Sequence, residues 1–360
     1  MPETLIDLRS DTVTKPDAAM RRAMAEAEVG DDVLGEDQTV RRLEELAAER
    51  TGHEAALYVP SGTMANQIAL HLHGFPGGEL VCDSRSHVLH YEMGAMAALS
   101  GLLPRALETP WGQLPPAAVE AAIAPAGSLR GRTALIVAET SHNVAGGTVY
   151  RPEELDALAA LARRRGLPLH LDGARVFNAA AALGVPVARL TAGMSSAMFS
   201  LSKGLGAPVG SLLCGPVDFI AEARRVRKMF GGGWRQAGVI AAAGLVALEE
   251  GPARLPRDHE HARLLAEALA ELPGIALDLA RVETNIVVFG VGRELFPGLP
   301  EERDPIDELL ARLRGRGVLG GRISATRARL VTHRDVDRAG IDRAVAALRS
   351  LAPGGAARDG

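Results

Sequence analysis

Two short apolar runs constrain the fold of this chain more than any other feature, because each ends on a charged residue and turns straight into glycine. Leu167–Asn178 reads LPLHLDGARVFN, and the alternation of Leu167, Leu169 and Leu171 predicts a buried strand with Asp172 at its carboxyl end. Met198–Cys214 reads MFSLSKGLGAPVGSLLC, a strand end followed by Lys203 among serines and glycines, with apolar residues resuming at Leu212. The interval between Asp172 and Lys203 has room for one crossover and a return strand in a parallel sheet. Both side chains are then expected at one sheet edge, where open α/β sheets bind ligands.

Lysine ordinarily sits on a solvated face, since burying its ammonium unpaired costs several kcal/mol. Here Gly204, Gly206, Pro208 and Gly210 argue for a tight, enclosed turn around Lys203. Desolvation lowers a lysine pKa, and the free amine then condenses with a carbonyl. Pyridoxal 5'-phosphate (PLP) is held by such a lysine, with an acidic partner on its ring nitrogen. Asp172 is the candidate partner.

A phosphate cup has a candidate too. Ala55–Val59 predicts a strand, and Ser61, Gly62 and Thr63 lead from it into an apolar helix. Free N–H groups and the dipole at a helix start favour an anion. Alone, the pattern also describes a capped helix; beside Lys203 and Asp172 it favours phosphate. Lys228 and Arg235 flank Gly231, Gly232 and Gly233 and read as anion ligands, for the cofactor phosphate or for substrate by way of water. His87 and His90 are spaced to share one helix face, but no third ligand is evident and no metal site is expected. His142 stands in a polar, glycine-rich loop at a strand end that is expected to line the site.

The pairing of HLDGAR with LSKGLGAPVGS resembles the low-specificity L-threonine aldolases, PLP enzymes of the beta-eliminating lyase family with the aspartate-aminotransferase-like fold. DLRSDTVTKP at Asp7–Pro16, KMFGGGWRQAG at Lys228–Gly238 and RLVTH at Arg329–His333 extend the likeness over nearly the whole chain. The resemblance implies a PLP-dependent aldol cleavage of β-hydroxy-α-amino acids to glycine and an aldehyde. It gives Ser10, Arg175 and Arg329 the substrate carboxylate and lays His87 over the cofactor ring, where the imidazole is also our candidate base for the β-hydroxyl proton. Arg322 and Arg327 compete with Arg329 for its role. It further implies a homodimer or homotetramer with active sites at the dimer interface. Two departures stand out: Leu34 occupies a position usually held by tyrosine, and the stretch Ser128–Arg132 lacks a histidine that some members carry. Other PLP reactions on this fold, β-elimination or serine hydroxymethyl transfer, remain open, as does a non-catalytic scaffold. A nicotinamide enzyme is disfavoured, because Gly204-x-Gly206-x-x-x-Gly210 misses the dinucleotide spacing.

The fold class expected is α/β: a fold-type-I large domain with a mainly parallel sheet, plus a small α+β C-terminal domain. The 360 residues divide into an arm (1–16), a large PLP-binding domain (17–252), a small domain (253–351) and a disordered tail (352–360). A net charge of −4 and 3% aromatic residues give no support for nucleic-acid binding. No signal segment or membrane span is evident, and the only two cysteines, Cys82 and Cys214, form no metal or redox motif. A cytoplasmic protein with a small amino-acid substrate is expected.

Overall fold

The computed structural model describes residues 5–352, in two compact units. The predicted tail, apart from Ala352, and the first four residues of the predicted arm lie outside the described residues.

The smaller unit holds residues 5–14, Gly146–Thr148 and 254–352. It begins with β1 (Ile6–Asp7), and it takes in the arm because Ile6 and Leu8 are buried in its core with Leu265, Phe289 and Leu330. The larger unit, Lys15–Ala145 with Val149–Ala253, is built on seven strands: β2 (Ala55–Val59), β3 (Glu79–Asp83), β4 (Leu103–Leu107), β5 (Thr133–Glu139), β6 (Leu169–Asp172), β7 (Ser196–Ser200) and β8 (Ser211–Gly215). Their spatial order is β2-β8-β7-β6-β5-β3-β4, and β8 alone runs against the rest. Every residue of β3, β5, β6, β7 and β8 is buried, as expected for a sheet covered by helices on both faces.

The small unit adds β9 (Ile275–Ala276), β10 (Ile286–Val291), β11 (Val318–Leu319), β12 (Gly321–Arg322) and β13 (Arg327–Val331). β12, β13, β10 and β9 form an antiparallel sheet, and β1 pairs with β11 in parallel. The apolar run at Ile275–Leu279 predicts a strand over its whole length, but only Ile275–Ala276 forms one. Asp278 ends it, because its carboxylate accepts from Ala280 N at 3.0 Å and caps a turn over Leu279–Arg281. The helix expected from His259 starts earlier, at Leu255, with Pro256 in its first turn, where a missing N–H is harmless.

The turn carrying Lys203 is closed by Gly210, whose φ of 106° lies in the left-handed region. Leu201 N donates to Gly210 O at 3.0 Å, and a Cβ on Gly210 would collide with the ring of buried Tyr58. Gly210→Ala is therefore expected to lose about 3 kcal/mol of stability, from overpacking and backbone strain together. An unchanged urea midpoint would contradict this account of the turn.

Candidate active site

β6 and β7 are parallel neighbours, with Asp172 opposite Met198. Asp172 therefore ends β6 at the edge where β7 runs on through Ser200 into the Lys203 turn. β2 points the same way, and its carboxyl end leads through Ser61 into the helix Gly62–His73. The start of that helix lies on the end of β7: a Cβ built on Gly62 would stand 2.9 Å from Met198 Cε and 3.3 Å from Ser200 Oγ. A side chain here would have to displace the end of the Met198 side chain. One turn further on, Asn66 donates to Asp172 Oδ2 at 2.9 Å. The helix thus ties the candidate phosphate cup to the candidate ring-nitrogen partner.

Ser61 caps the helix, its hydroxyl oxygen accepting from Met64 N at 3.1 Å. That bond uses the oxygen as acceptor, so the Ser61 O–H and the first-turn N–H groups of Gly62 and Thr63 are the donors this helix start can offer an anion. Asp172 is 2% exposed, and among the described residues its carboxylate accepts from two neutral donors, Asn66 and Ala174 N at 3.2 Å. A carboxylate offers about four acceptor positions, and a buried charge calls for a cationic partner. A protonated ring nitrogen is one. The donor set of lysine, buried carboxylate and open helix start fits PLP.

His87 begins the short helix His87–His90, its backbone N donating to Glu139 Oε2 at 2.8 Å. Its Nδ1 lies 2.9 Å from Oε1 of the buried Glu92, and the donor atoms of His87, Glu92 and Asp172 fall within 4.8 Å of one another. Burial pulls the imidazole pKa down, but the Glu92 hydrogen bond and the charges of Asp172, Glu92 and Glu139 outweigh it, so the net shift is upward. His142 is buried, its Nε2 standing 3.2 Å from Asp83 Oδ1 and its Nδ1 accepting from Ala145 N at 3.3 Å. Burial pushes the Asp83 carboxyl up, but the neighbouring His142 and the hydrogen bonds from Thr109 Oγ1 and Arg85 N outweigh it and pull it down to about 2. His142 is thereby bound into the loop after β5.

Lys203 is half-buried, and its carbonyl accepts from Gly206 N at 2.8 Å. Arg175 is 6% exposed at the mouth of the helix Val176–Leu183, just past Asp172. Lys228 and Arg235 are exposed, and Arg235 pairs with Asp31 at 2.8 Å. Gly232 between them lies against Met64, in the first turn of the helix that Ser61 caps. The buried cation of this basic run is Arg227, which sequence reasoning missed. It donates to Asp32 Oδ2 at 2.6 Å and Tyr58 O at 2.7 Å. That pair anchors the turn Asp32–Leu34, whose Leu34 side chain faces outward.

Ser10 and Arg329 lie in the small unit. Ser10 Oγ accepts from Thr12 N and Thr12 Oγ1, and Arg329 Nη2 donates to the carbonyl of the adjoining Arg9 at 3.2 Å. Arg322 is engaged with Asp304 and Asp307, and Arg327 is exposed.

The model of the beta-eliminating lyase family matches residues 7–291. Low-specificity L-threonine aldolase 1 of Arabidopsis thaliana is 44% identical over 335 residues, 92% of this chain and 92% of its own. The low specificity L-threonine aldolase of Escherichia coli K12 is 43% identical over 336 residues, 93% of this chain and 95% of its own. Among solved structures, a Leishmania major threonine aldolase superposes with a TM-score of 0.78 at 20% identity, covering 96% of this chain and 99% of that one. At that identity the superposition speaks for the fold, a fold-type-I α/β architecture. This chain belongs to the beta-eliminating lyase family.

Proposed function

We propose that the protein cleaves L-threonine, L-allo-threonine and related β-hydroxy-α-amino acids to glycine and an aldehyde, with PLP as cofactor. The observation that carries the reading is the convergence on one sheet edge of Asp172, the Lys203 turn and the helix start at Gly62. When bound, PLP supplies the electron sink for the pair released from the Cα–Cβ bond. Lys203 would hold it covalently, Asp172 would hold its ring nitrogen, and Ser61, Gly62 and Thr63 its phosphate, with Arg235 and Lys228 as further anion ligands. His87 would cover the ring and would take the β-hydroxyl proton. Arg175, Ser10 and Arg329 bind the substrate carboxylate; a guanidinium fork suits that group. Gripping the carboxylate orients the Cα–Cβ bond, and orientation is a large part of the rate.

The support for the carboxylate ligands is the family resemblance, joined for Ser10 and Arg329 by their closeness within the small unit. A homodimer or homotetramer with active sites at the dimer interface belongs to the same proposal, as does a cytoplasmic location. The latter agrees with Cys82 and Cys214, both buried free thiols pushed up to about 12 by burial. Among the described residues no helix is long and apolar enough to cross a membrane.

The test is direct. Purified protein given PLP should gain near-visible absorbance and should release acetaldehyde from both threonine epimers. Pyruvate from serine without acetaldehyde from threonine would move the assignment to β-elimination. A protein that takes up no PLP would remove it altogether.

A further inference from the structure

We propose that Glu92 is a positioning residue for the cleavage: it holds the Nδ1–H of His87, so that His87 Nε2 carries the lone pair that takes the β-hydroxyl proton. The inference rests on the aldol-cleavage reading above. It begins from a buried carboxylate that this reading leaves without a task.

Glu92 is 2% exposed, although its neighbours Tyr91 and Met93 are 45% and 97% exposed. Met93 has a φ of 55°, unusual for a residue with a side chain, and it follows the point where the chain turns Glu92 inward. Among the described residues Glu92 accepts from Asn66 Nδ2 at 2.8 Å, Gln67 Nε2 at 2.6 Å and His87 Nδ1 at 2.9 Å. Amide and imidazole orientations follow from the network. Asn66 Nδ2 serves two carboxylates, Glu92 and Asp172, so both its protons are donated and its oxygen must accept. That oxygen lies 3.0 Å from His170 Nε2, which is therefore the protonated nitrogen of that ring. His170 Nδ1 then accepts from Ser196 Oγ at 2.8 Å, and Ser196 Oγ accepts from His73 Nε2 at 2.8 Å.

The direction of every proton in this chain is thus set. Burial pushes His170 down to about 3 and His73 down to about 4, so neither brings a positive charge to the network. The cation that can answer Glu92 is the imidazolium of His87. The groups facing His87 are Glu92, Asp172 at the end of β6, Glu139 at the end of β5, and the ring of Tyr91 stacked at 5.6 Å between centroids. All three charged neighbours are carboxylates, and Glu92 is the one that touches the ring. A carboxylate on one imidazole nitrogen fixes the ring and its tautomer while the other nitrogen works as base. In the step itself the β-hydroxyl proton passes to Nε2 as the Cα–Cβ bond breaks. The oxygen's electron pair becomes the second C–O bond of the aldehyde. The pair from the broken bond stays with the glycine fragment, which later regains a proton at Cα.

Nitrogen-15 NMR of the full-length chain, with and without PLP, gives the tautomer of His87, assigned by difference from His87→Gln. Nδ1 protonated with Nε2 bare at high pH is expected. Glu92→Gln should lower the His87 midpoint and move the acid limb of the kcat/KM profile down by about one pH unit. The plateau should fall roughly 10- to 100-fold, with Glu92→Asp recovering part of the loss. An unmoved acid limb in well-folded Glu92→Gln overturns the proposal. So does a wild-type His87 protonated on Nε2 and bare on Nδ1, a result that needs no variant of Glu92. A wild-type chain that leaves threonine untouched overturns the cleavage reading, and with it the role of Glu92 in that reaction; the NMR result, which requires no substrate, tells the two failures apart.

Discussion

Lys203→Ala is expected to abolish the near-visible absorbance of the PLP-treated protein and to lower threonine cleavage by about 10⁴-fold or more, the scale seen when a covalent nucleophile is removed. The turn is built so that the loss is chemical. Its backbone is closed by Leu201 N to Gly210 O at 3.0 Å, Ala207 N to Leu201 O at 3.0 Å and Gly206 N to Lys203 O at 2.8 Å. All three bonds join backbone atoms that alanine also presents, and they close the loop in the variant as in the wild type. An unchanged urea midpoint beside an inactive protein is the expected pairing. Wild-type turnover in Lys203→Ala would remove this lysine from the reaction. Loss of activity with loss of fold would instead point to a structural lysine, a distinction the midpoint makes.

That Asp172, the Lys203 turn and the stretch Ser61–Thr63 meet at one sheet edge was legible because each combines a strand end with glycine, and strand ends in a parallel sheet collect at one edge. The buried network behind them was not. Asn66 lies on an apolar helix, Glu92 in an undistinguished turn, and His170 between leucines in β6. Their hydrogen bonds join residues up to 106 positions apart, and no local pattern announces such a pair. Arg227 was hidden for a similar reason: four cations share its helix, and only the fold shows which one turns inward to Asp32. β4 was missed because its residues are exposed or half-exposed and include Pro104, so it lacks the apolar run of its neighbours. Edge strands often read that way. The arm was legible as a segment too short to be a domain; that it joins the small unit depends on the burial of Ile6 and Leu8 with residues more than 250 positions away.

Asp172→Asn should lower turnover by about 10³-fold at saturating PLP, comparable to removing a preorganised electrostatic partner from a water-excluded site. The substitution keeps the shape and removes the charge. It also sets a donor against donors. Asp172 Oδ2 accepts from Asn66 Nδ2 at 2.9 Å and Oδ1 accepts from Ala174 N at 3.2 Å. An asparagine has one oxygen for these two, so its amide nitrogen faces either Asn66 or Ala174. If it faces Asn66, that side chain must turn, and its bond to Glu92 at 2.8 Å is disturbed as well. The effect should therefore reach His87, whose Nδ1 rests on the same Glu92 oxygen. Two readouts separate the parts. A fall in kcat with little change in KM reports the charge lost at the ring nitrogen, and a lowered acid limb of the pH profile reports the weaker hold on the His87 proton, from the missing Asp172 charge and from any disturbance carried through Asn66 together. Turnover within about tenfold of wild type, at saturating PLP and with the fold intact, would exclude a ring-nitrogen partner at this position.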